Sequence, residues 1–263
     1  MEIIDENEII QEIKAKLTQI EERENIRIIY ACESGSRAWG FASPDSDYDV
    51  RFIFVRPVED YLRVKELPDF IDAELNEIYD INGWDLKKFL KHLYKSNPVL
   101  FEWANSPIVY RTTPEWDCAK AIMKDYFFQI AMIHHYRGMA KSNAKSYLSK
   151  SEVILKKYLY VLRPVLAGVW LMRKHTVPPT EFSKLVDEIL PIELKDSVEE
   201  LLSVKMKSKE KKKGSRIPQI DSFIETKLNE LMALPVIDEA QDNYEKLDKI
   251  FLEIVRQYDF FVV

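Results

Sequence analysis

Asp47 and Asp49 are separated by one residue at the start of an apolar run, Val50 to Val55. In a strand alternate side chains share a face, so this spacing projects both carboxylates together. Two carboxylates that close repel and raise each other's pKa. A fold accepts them when a hard cation lies between them, and Mg²⁺ is held by one or two carboxylates plus substrate phosphates. Gly35 and Ser36 precede Asp47 with ten residues between, after a second apolar run, Ile26 to Ala31. A glycine there lets a phosphate approach backbone N–H groups at a helix N-terminus, and Ser36 adds a hydroxyl donor. Together the four residues suit a nucleoside triphosphate held with its metal, Mg²⁺ or Mn²⁺. Arg37, beside the turn, has the planar guanidinium that matches phosphate. Arg51 shares the face of Asp47 and Asp49, where it meets either a phosphate or a neighbouring acid. Trp39 and Phe41 are candidates for base stacking or for the core.

The elements that must position these residues alternate up to about residue 114. Ile9, Ile10, Ile13, Leu17 and Ile20 recur at helical spacing and predict a first helix. The two apolar runs are strands, and Asp69–Ala73 and Glu77–Ile81 are expected to be two more. Gly83-Trp84-Asp85 is expected to open a helix bearing Leu86, Phe89, Leu90 and Leu93, with Asp85 as its cap. Asn97-Pro98 breaks it, and 108–110 is an expected edge strand. Beyond 115 the pattern is helical, over 116–128, 130–148, 151–174, 181–189, 192–204, 219–233 and 238–259. Arg163-Pro164 within the third of these predicts a kink. The expected division is a catalytic domain over 1–114 and a helical domain over 115–263, with the site in the cleft between them.

Beyond this reading, Gly35-Ser36 followed by Asp47-Tyr48-Asp49 is similar to the nucleotidyltransferase signature of the DNA polymerase beta superfamily. The strings 31–41 (ACESGSRAWGF) and 46–53 (SDYDVRFI) resemble one branch of it. So do Gly83-Trp84-Asp85-Leu86-Lys87-Lys88, Asn97-Pro98, Glu102-Trp103 and Ser106-Pro107. That branch is RlaP, nucleotidyltransferases associated with RNA repair. The resemblance implies an α+β fold, with a polymerase-beta-like α/β domain followed by an all-helical one. It also implies a two-metal transfer of a nucleotide, and a third carboxylate on a neighbouring strand. Asp80 is the choice for that acid, because Tyr79-Asp80-Ile81 sets it between apolar residues. The catalytic and metal set is then Asp47, Asp49 and Asp80, with Gly35, Ser36, Arg37 and Arg51 as nucleotide-binding residues.

Composition bounds the partners. The 263-residue chain carries a net charge of −6, so global charge announces no nucleic-acid binder. Lys205 to Arg216 nevertheless holds seven cations and one anion. This stretch is either a solvated loop or an RNA contact. Lys141, Lys145, Lys156, Lys157, Tyr158, Tyr160 and Arg163 mix cations with aromatics, a composition that suits phosphates and bases as well as a solvated helix face. Two distant cysteines give no disulfide framework. No apolar run reaches the ~20 residues of a membrane span, and the acidic N-terminus lacks a signal peptide's basic start, so a cytoplasmic location is expected. The acceptor is expected to be an RNA end. The alternatives are a protein or small-molecule acceptor, or a non-catalytic binding protein that keeps the fold.

Overall fold

The computed structural model describes residues 6–207, 212–235 and 244–259. The chain folds as α1 (Glu6–Glu24), β1 (Arg27–Glu33), α2 (Gly35–Ala38), β2 (Tyr48–Val55), α3 (Val58–Tyr61), β3 (Phe70–Leu75), β4 (Tyr79–Asp85), α4 (Leu86–Tyr94), α5 (Pro98–Ala104) and β5 (Val109–Thr112). Then come α6 (Pro114–Ala121), a 3₁₀ turn (Met123–Tyr126), α7 (Gln129–Tyr147), β6 (Glu152–Ile154), α8 (Lys157–Lys174), α9 (Phe182–Ile189), α10 (Ile192–Lys207), β7 (Lys213–Ser215), α11 (Pro218–Met232) and α12 (Glu245–Asp259). The fold is α+β.

Five strands form one sheet in the order β3-β4-β2-β1-β5. Only the β2–β4 pair is parallel. Each face buries a different set of side chains, as the two-residue period of a strand requires. On one face Ile9, Ile13, Leu17 and Ile20 of α1 pack with Ile28, Val50, Phe52, Phe54 and Ile81. On the other, Ile29, Cys32, Ile53 and Val55 join a larger cluster with α4 to α6 and the helices that follow. Apolar side chains from both sides of residue 114 thus share one cluster.

Several local expectations give way to tertiary pairing. Gly83, Trp84 and Asp85 end β4 rather than opening α4. A Cβ on Gly83 would stand 2.1 Å from the Phe52 ring, so this glycine serves close approach of neighbouring strands rather than a turn. Asp85 still caps α4, accepting from Lys87 N at 2.7 Å. The expected helix over 116–128 stops at Ala121 and tightens into the 3₁₀ turn. The helix expected from 151 instead begins at Lys157, because Glu152–Ile154 pairs antiparallel with Lys213–Ser215. Those short strands lie some sixty residues apart, beyond the reach of local periodicity. Pro164 lies within α8, which continues through it to Lys174. Of the expected loop over Lys205 to Arg216, Lys205 to Lys207 close α10 and Lys213 to Ser215 form β7. Residues 208–211, which include Lys209 and Lys211, lie outside the described residues, as do 238–243 of the last expected helix. Among the described residues no helix is long and apolar enough to cross a membrane.

Candidate active site

The turn after β1 is shaped by Gly35. Its φ of +58° is left-handed, where a side chain is strained. A Cβ there would also stand 1.9 Å from Oδ2 of Asp49. The missing methyl therefore makes the room that the Asp49 carboxylate occupies. Ser34 N donates to Asp49 O at 2.8 Å, which ties the turn to the first residues of β2.

A cleft of about 400 Å³ opens over this turn. Gly35, Ser36, Asp47, Asp49 and Arg51 line it from the sheet side, with Ser43, Asp45 and Ser46 from the loop before β2. Lys156, Tyr160 and Lys205 line it from beyond residue 114. Sequence spacing places Gly35, Ser36, Asp47, Asp49 and Arg51 in one site, and the fold brings all five together.

Asp80 stands beside Asp49 in the parallel β2–β4 register, where Arg51 faces Asn82. Its carboxylate is turned to its neighbours: Oδ2 accepts from Arg51 Nη2 at 2.7 Å and Oδ1 from Asn82 Nδ2 at 3.3 Å. The same Arg51 nitrogen donates to Asp49 Oδ1 at 2.9 Å. Of the two roles open to Arg51, the geometry displays the pairing with Asp80. Arg37 turns away from the cleft. Its guanidinium donates to the carbonyls of Ser46 and Asp47, at 2.7 and 3.1 Å, and lies 3.7 Å from the centre of the Tyr48 ring. It braces the loop that presents Asp47. Phe41 is core, 1% exposed, whereas Trp39 lines the cleft.

Burial sets the charge state of the site. Asp49 is lifted to about 6 by burial, opposed by Arg51 and reinforced by the charges of Asp47 and Asp80. Behind it Glu33, fully buried, accepts from Asp49 N at 2.9 Å and from the Tyr110 hydroxyl at 2.5 Å. Burial pushes Glu33 up to about 7. A carboxylate that burial renders uncomfortable as an anion is one that a cation would relieve. Asp47 and Asp49 offer hard oxygen donors to the cleft, so the donor set fits Mg²⁺ or Mn²⁺ shared with substrate phosphates. Among the described residues no three His, Cys, Asp or Glu side chains converge to enclose a metal by themselves.

Several contributors are not legible in the sequence. Glu33 shows no role there, because its partners Tyr110 and Asp49 meet only through sheet pairing. Ser43 and Ser46 sit in an ordinary-looking loop, yet their hydroxyls lie 3.0 Å apart and Ser36 Oγ lies 3.2 Å from Ser46 Oγ. Lys205 reads as part of a charged loop, yet it is 4% exposed and donates to the Ser43 and Ser46 hydroxyls. Arg163 is buried under the cleft wall. It pairs with both oxygens of Glu102, at 3.1 and 3.0 Å, and lies 4.2 Å from the centre of the Trp39 ring.

The model of the RlaP family, described as RNA repair pathway DNA polymerase beta family, matches residues 9–253. Uncharacterized protein YcgL of Bacillus subtilis (strain 168) is 41% identical over 253 residues, covering 94% of this chain and 96% of its own. Uncharacterized protein MJ0002 of Methanocaldococcus jannaschii is 27% identical over 144 residues, 54% of this chain and 58% of its own.

Proposed function

The chain belongs to the RlaP family, and on that premise we propose that it is a metal-dependent nucleotidyltransferase, moving a nucleoside monophosphate from a nucleoside triphosphate to an acceptor hydroxyl on an RNA end. One observation carries the reading: Gly35, Ser36, Asp47 and Asp49 line a single cleft, with the Asp49 carboxylate in the space a side chain at position 35 would fill.

The Gly35-Ser36 turn receives the triphosphate. Asp47 and Asp49 would hold the divalent cation, which would offset charge on the phosphate oxygens, while Asp80 stands beside Asp49, paired with Arg51, as the third acid rather than as a ligand. The acceptor oxygen attacks the α-phosphorus, the bond to the bridging oxygen breaks, and the electron pair leaves with pyrophosphate. Asp80, oriented by Arg51 and Asn82, is the proposed acceptor of the hydroxyl proton. Glu33 fixes the backbone of Asp49, and Arg37 fixes that of Asp47. No covalent enzyme intermediate is needed, because positioning and electrostatics dominate this chemistry.

The family description favours RNA as acceptor. A protein or small-molecule acceptor is the second reading, favoured by the net charge of −6 and by Asp45 and Asp47 exposed at the cleft. Incubation with each α-labelled triphosphate, Mg²⁺ and separate pools of RNA, protein and hydroxyl-bearing small molecules tests both. Label in RNA supports the first reading, and label in protein or in a small molecule selects the second. Label in none of them overturns nucleotide transfer.

A further inference from the structure

Charge is unevenly placed along the chain. Residues 126–180 hold nine Lys and Arg against a single acid, Glu152, a net of +8 within a chain of net −6. That stretch folds as α7, β6 and α8, a helical hairpin whose elbow is tied down by the β6–β7 ribbon. The two helices run antiparallel. Asn143 Nδ2 donates to Tyr160 O at 2.9 Å, and the Lys157 ammonium lies 4.4 Å from the centre of the Tyr147 ring and 4.9 Å from that of Tyr160. Tyr160 lines the cleft, so Lys157 and Tyr147 lie just outside its rim.

The acids near this hairpin answer only some of its cations. Asp45 and Asp47 face Lys156 and Lys205 at the cleft. Asp221 and Glu225 share a groove with Lys141, and Glu152 pairs with Lys213. Among the described residues Lys145, Lys150 and Lys157 form no ion pair with a carboxylate. Lys145 and Lys150 are exposed, and Lys157 and Tyr147 are half-buried. Like charges gathered on one surface repel, and a polyanion laid along them relieves the repulsion and releases counterions. Two features favour RNA over an acidic protein as that polyanion. Aromatic rings interleave with the lysines, and such rings stack on bases. The surface also begins where an acceptor must emerge, because a strand with its terminal hydroxyl in the cleft leaves past Tyr160.

We propose that the elbow of the α7–α8 hairpin, with Lys145, Tyr147, Lys150 and Lys157, is the track for single-stranded RNA next to the acceptor end. This rests on the nucleotidyltransferase reading and adds to it the path of the acceptor. The lysines neutralise backbone phosphates, which positions the strand without reading its sequence. Tyr147 stacks on a base, which only an unpaired nucleotide can offer. The acceptor is therefore a strand of varied sequence with several unpaired nucleotides beside the reactive hydroxyl.

The test is an anisotropy titration of the full chain with a labelled single-stranded RNA of about ten nucleotides, within the usual span of such sites. It is run at several salt concentrations, with poly-glutamate as a second probe. The variants are the triple Lys145→Gln, Lys150→Gln, Lys157→Gln and the single Tyr147→Ala. The equal-charge control is Lys87→Gln, Lys91→Gln, Lys95→Gln, three exposed lysines along α4 and its cap. The triple variant should weaken RNA about tenfold or more and lower the slope of log affinity against log salt by about 0.7 for each phosphate no longer neutralised. Tyr147→Ala should weaken RNA about tenfold with the slope unchanged, the scale of one lost stack. The control should stay within about twofold of wild type. The triple variant changes surface side chains, so it carries the test if Tyr147→Ala fails to fold. Unchanged affinity and slope in the triple variant, an equal loss in the control, or no RNA binding by the wild type at low salt overturns the track. Poly-glutamate bound as tightly as RNA, with Tyr147→Ala lacking effect, assigns the surface to an acidic protein instead and overturns it too. RNA binding that depends on these lysines, with no nucleotide transfer, overturns the transfer reading and leaves the track standing. Transfer to RNA, with unchanged binding in the triple variant, does the reverse.

Discussion

Asp49 and Asp80 face each other across the parallel strands β2 and β4, and one nitrogen of Arg51 bonds to both. The guanidinium is the positive charge that lets two acids stand so close. Asp47→Asn and Asp49→Asn should each cut nucleotide transfer by about 10² or more, the scale of removing one electrostatic stabiliser of the reacting phosphate. The melting temperature without divalent cation should hold or rise, because a repelling charge has gone. Asp80→Ala should lose transfer while keeping much of its triphosphate binding. Labelled-product assays and thermal melts on the same preparations check all three.

Gly35→Ala should fail on two counts. The backbone sits at φ +58°, and the added methyl would overlap Asp49 Oδ2. The left-handed conformation alone costs about 1–2 kcal/mol. The larger expected effect is on activity, because the carboxylate must move. A denaturant melt paired with a transfer assay separates the two. Wild-type activity in the variant would show that Asp49 need not stand where it does.

The pH dependence follows from three raised acids, Asp85 among them, which burial lifts to about 6. Asp49 titrates near 6 and Glu33 near 7 in the folded chain, both above their ordinary values. Between about pH 4 and pH 7 the native state therefore holds protons that the unfolded chain has released, and stability falls as pH rises through that window. Glu33→Gln keeps an acceptor for Asp49 N and removes one titration. It should flatten the decline, with its largest gain over wild type above about pH 7. Melting temperatures from about pH 4 to pH 8 in both proteins are the measurement, and parallel curves would contradict it.

The outline of the site was legible because it is local. The spacing from Gly35 to Asp49 fits within a strand–turn–strand unit, and the two-residue period alone puts Asp49 and Arg51 on one face. The helical pattern of α1 was legible for the same reason: Ile9, Ile13, Leu17 and Ile20 are all buried. What stayed hidden depends on distant pairing. The Glu33 hydrogen bonds need β5 beside β1, and the place of Lys205 needs α10 to end against the loop before β2. Gly83 reads as part of a helix opening because glycine often marks the edge of an element, and sequence does not show that the Phe52 ring fills the space beside it. Lys205 looks like the first residue of a charged loop because the charges after it outnumber the apolar signal before it.

The pair Arg163–Glu102 should be sensitive to removal of either member. It is almost fully buried, and Tyr136 donates to the same Glu102 carboxylate at 2.8 Å. Removing one partner of such a pair typically costs about 3–5 kcal/mol. Arg163→Met should therefore destabilise strongly, and Arg163→Met with Glu102→Gln should recover part of the loss. Urea melts of the singles and the double complete the cycle. Additive losses would show that the two side chains do not act together.

RNA binding by the lysine-rich stretch is tested by salt. Replacing Lys209, Lys211, Lys212 and Lys213 with Gln should weaken RNA binding. The slope of log affinity against log salt should fall by about 0.7 for each single-strand phosphate that the variant no longer neutralises. Triphosphate binding should be unchanged, since Gly35 and Ser36 are left in place. Unchanged affinity and slope would remove this stretch from the RNA-binding surface.

The larger apolar cluster bears on how this protein can be taken apart or recombined. Tyr30 of the sheet stacks on Trp116 at 4.0 Å, and Phe41 packs edge-on to Phe182 at 5.4 Å. Trp39 O accepts from Phe182 N at 2.9 Å, and Thr180 Oγ1 donates to Glu102 O at 3.2 Å. Side chains of the core therefore join the two walls of the cleft. A fragment ending at residue 114 would expose the underside of the sheet and lose Lys156 and Lys205 at once. Grafting a new acceptor specificity onto this chain is thus a task for point changes along the cleft rim rather than for exchange of its helical half.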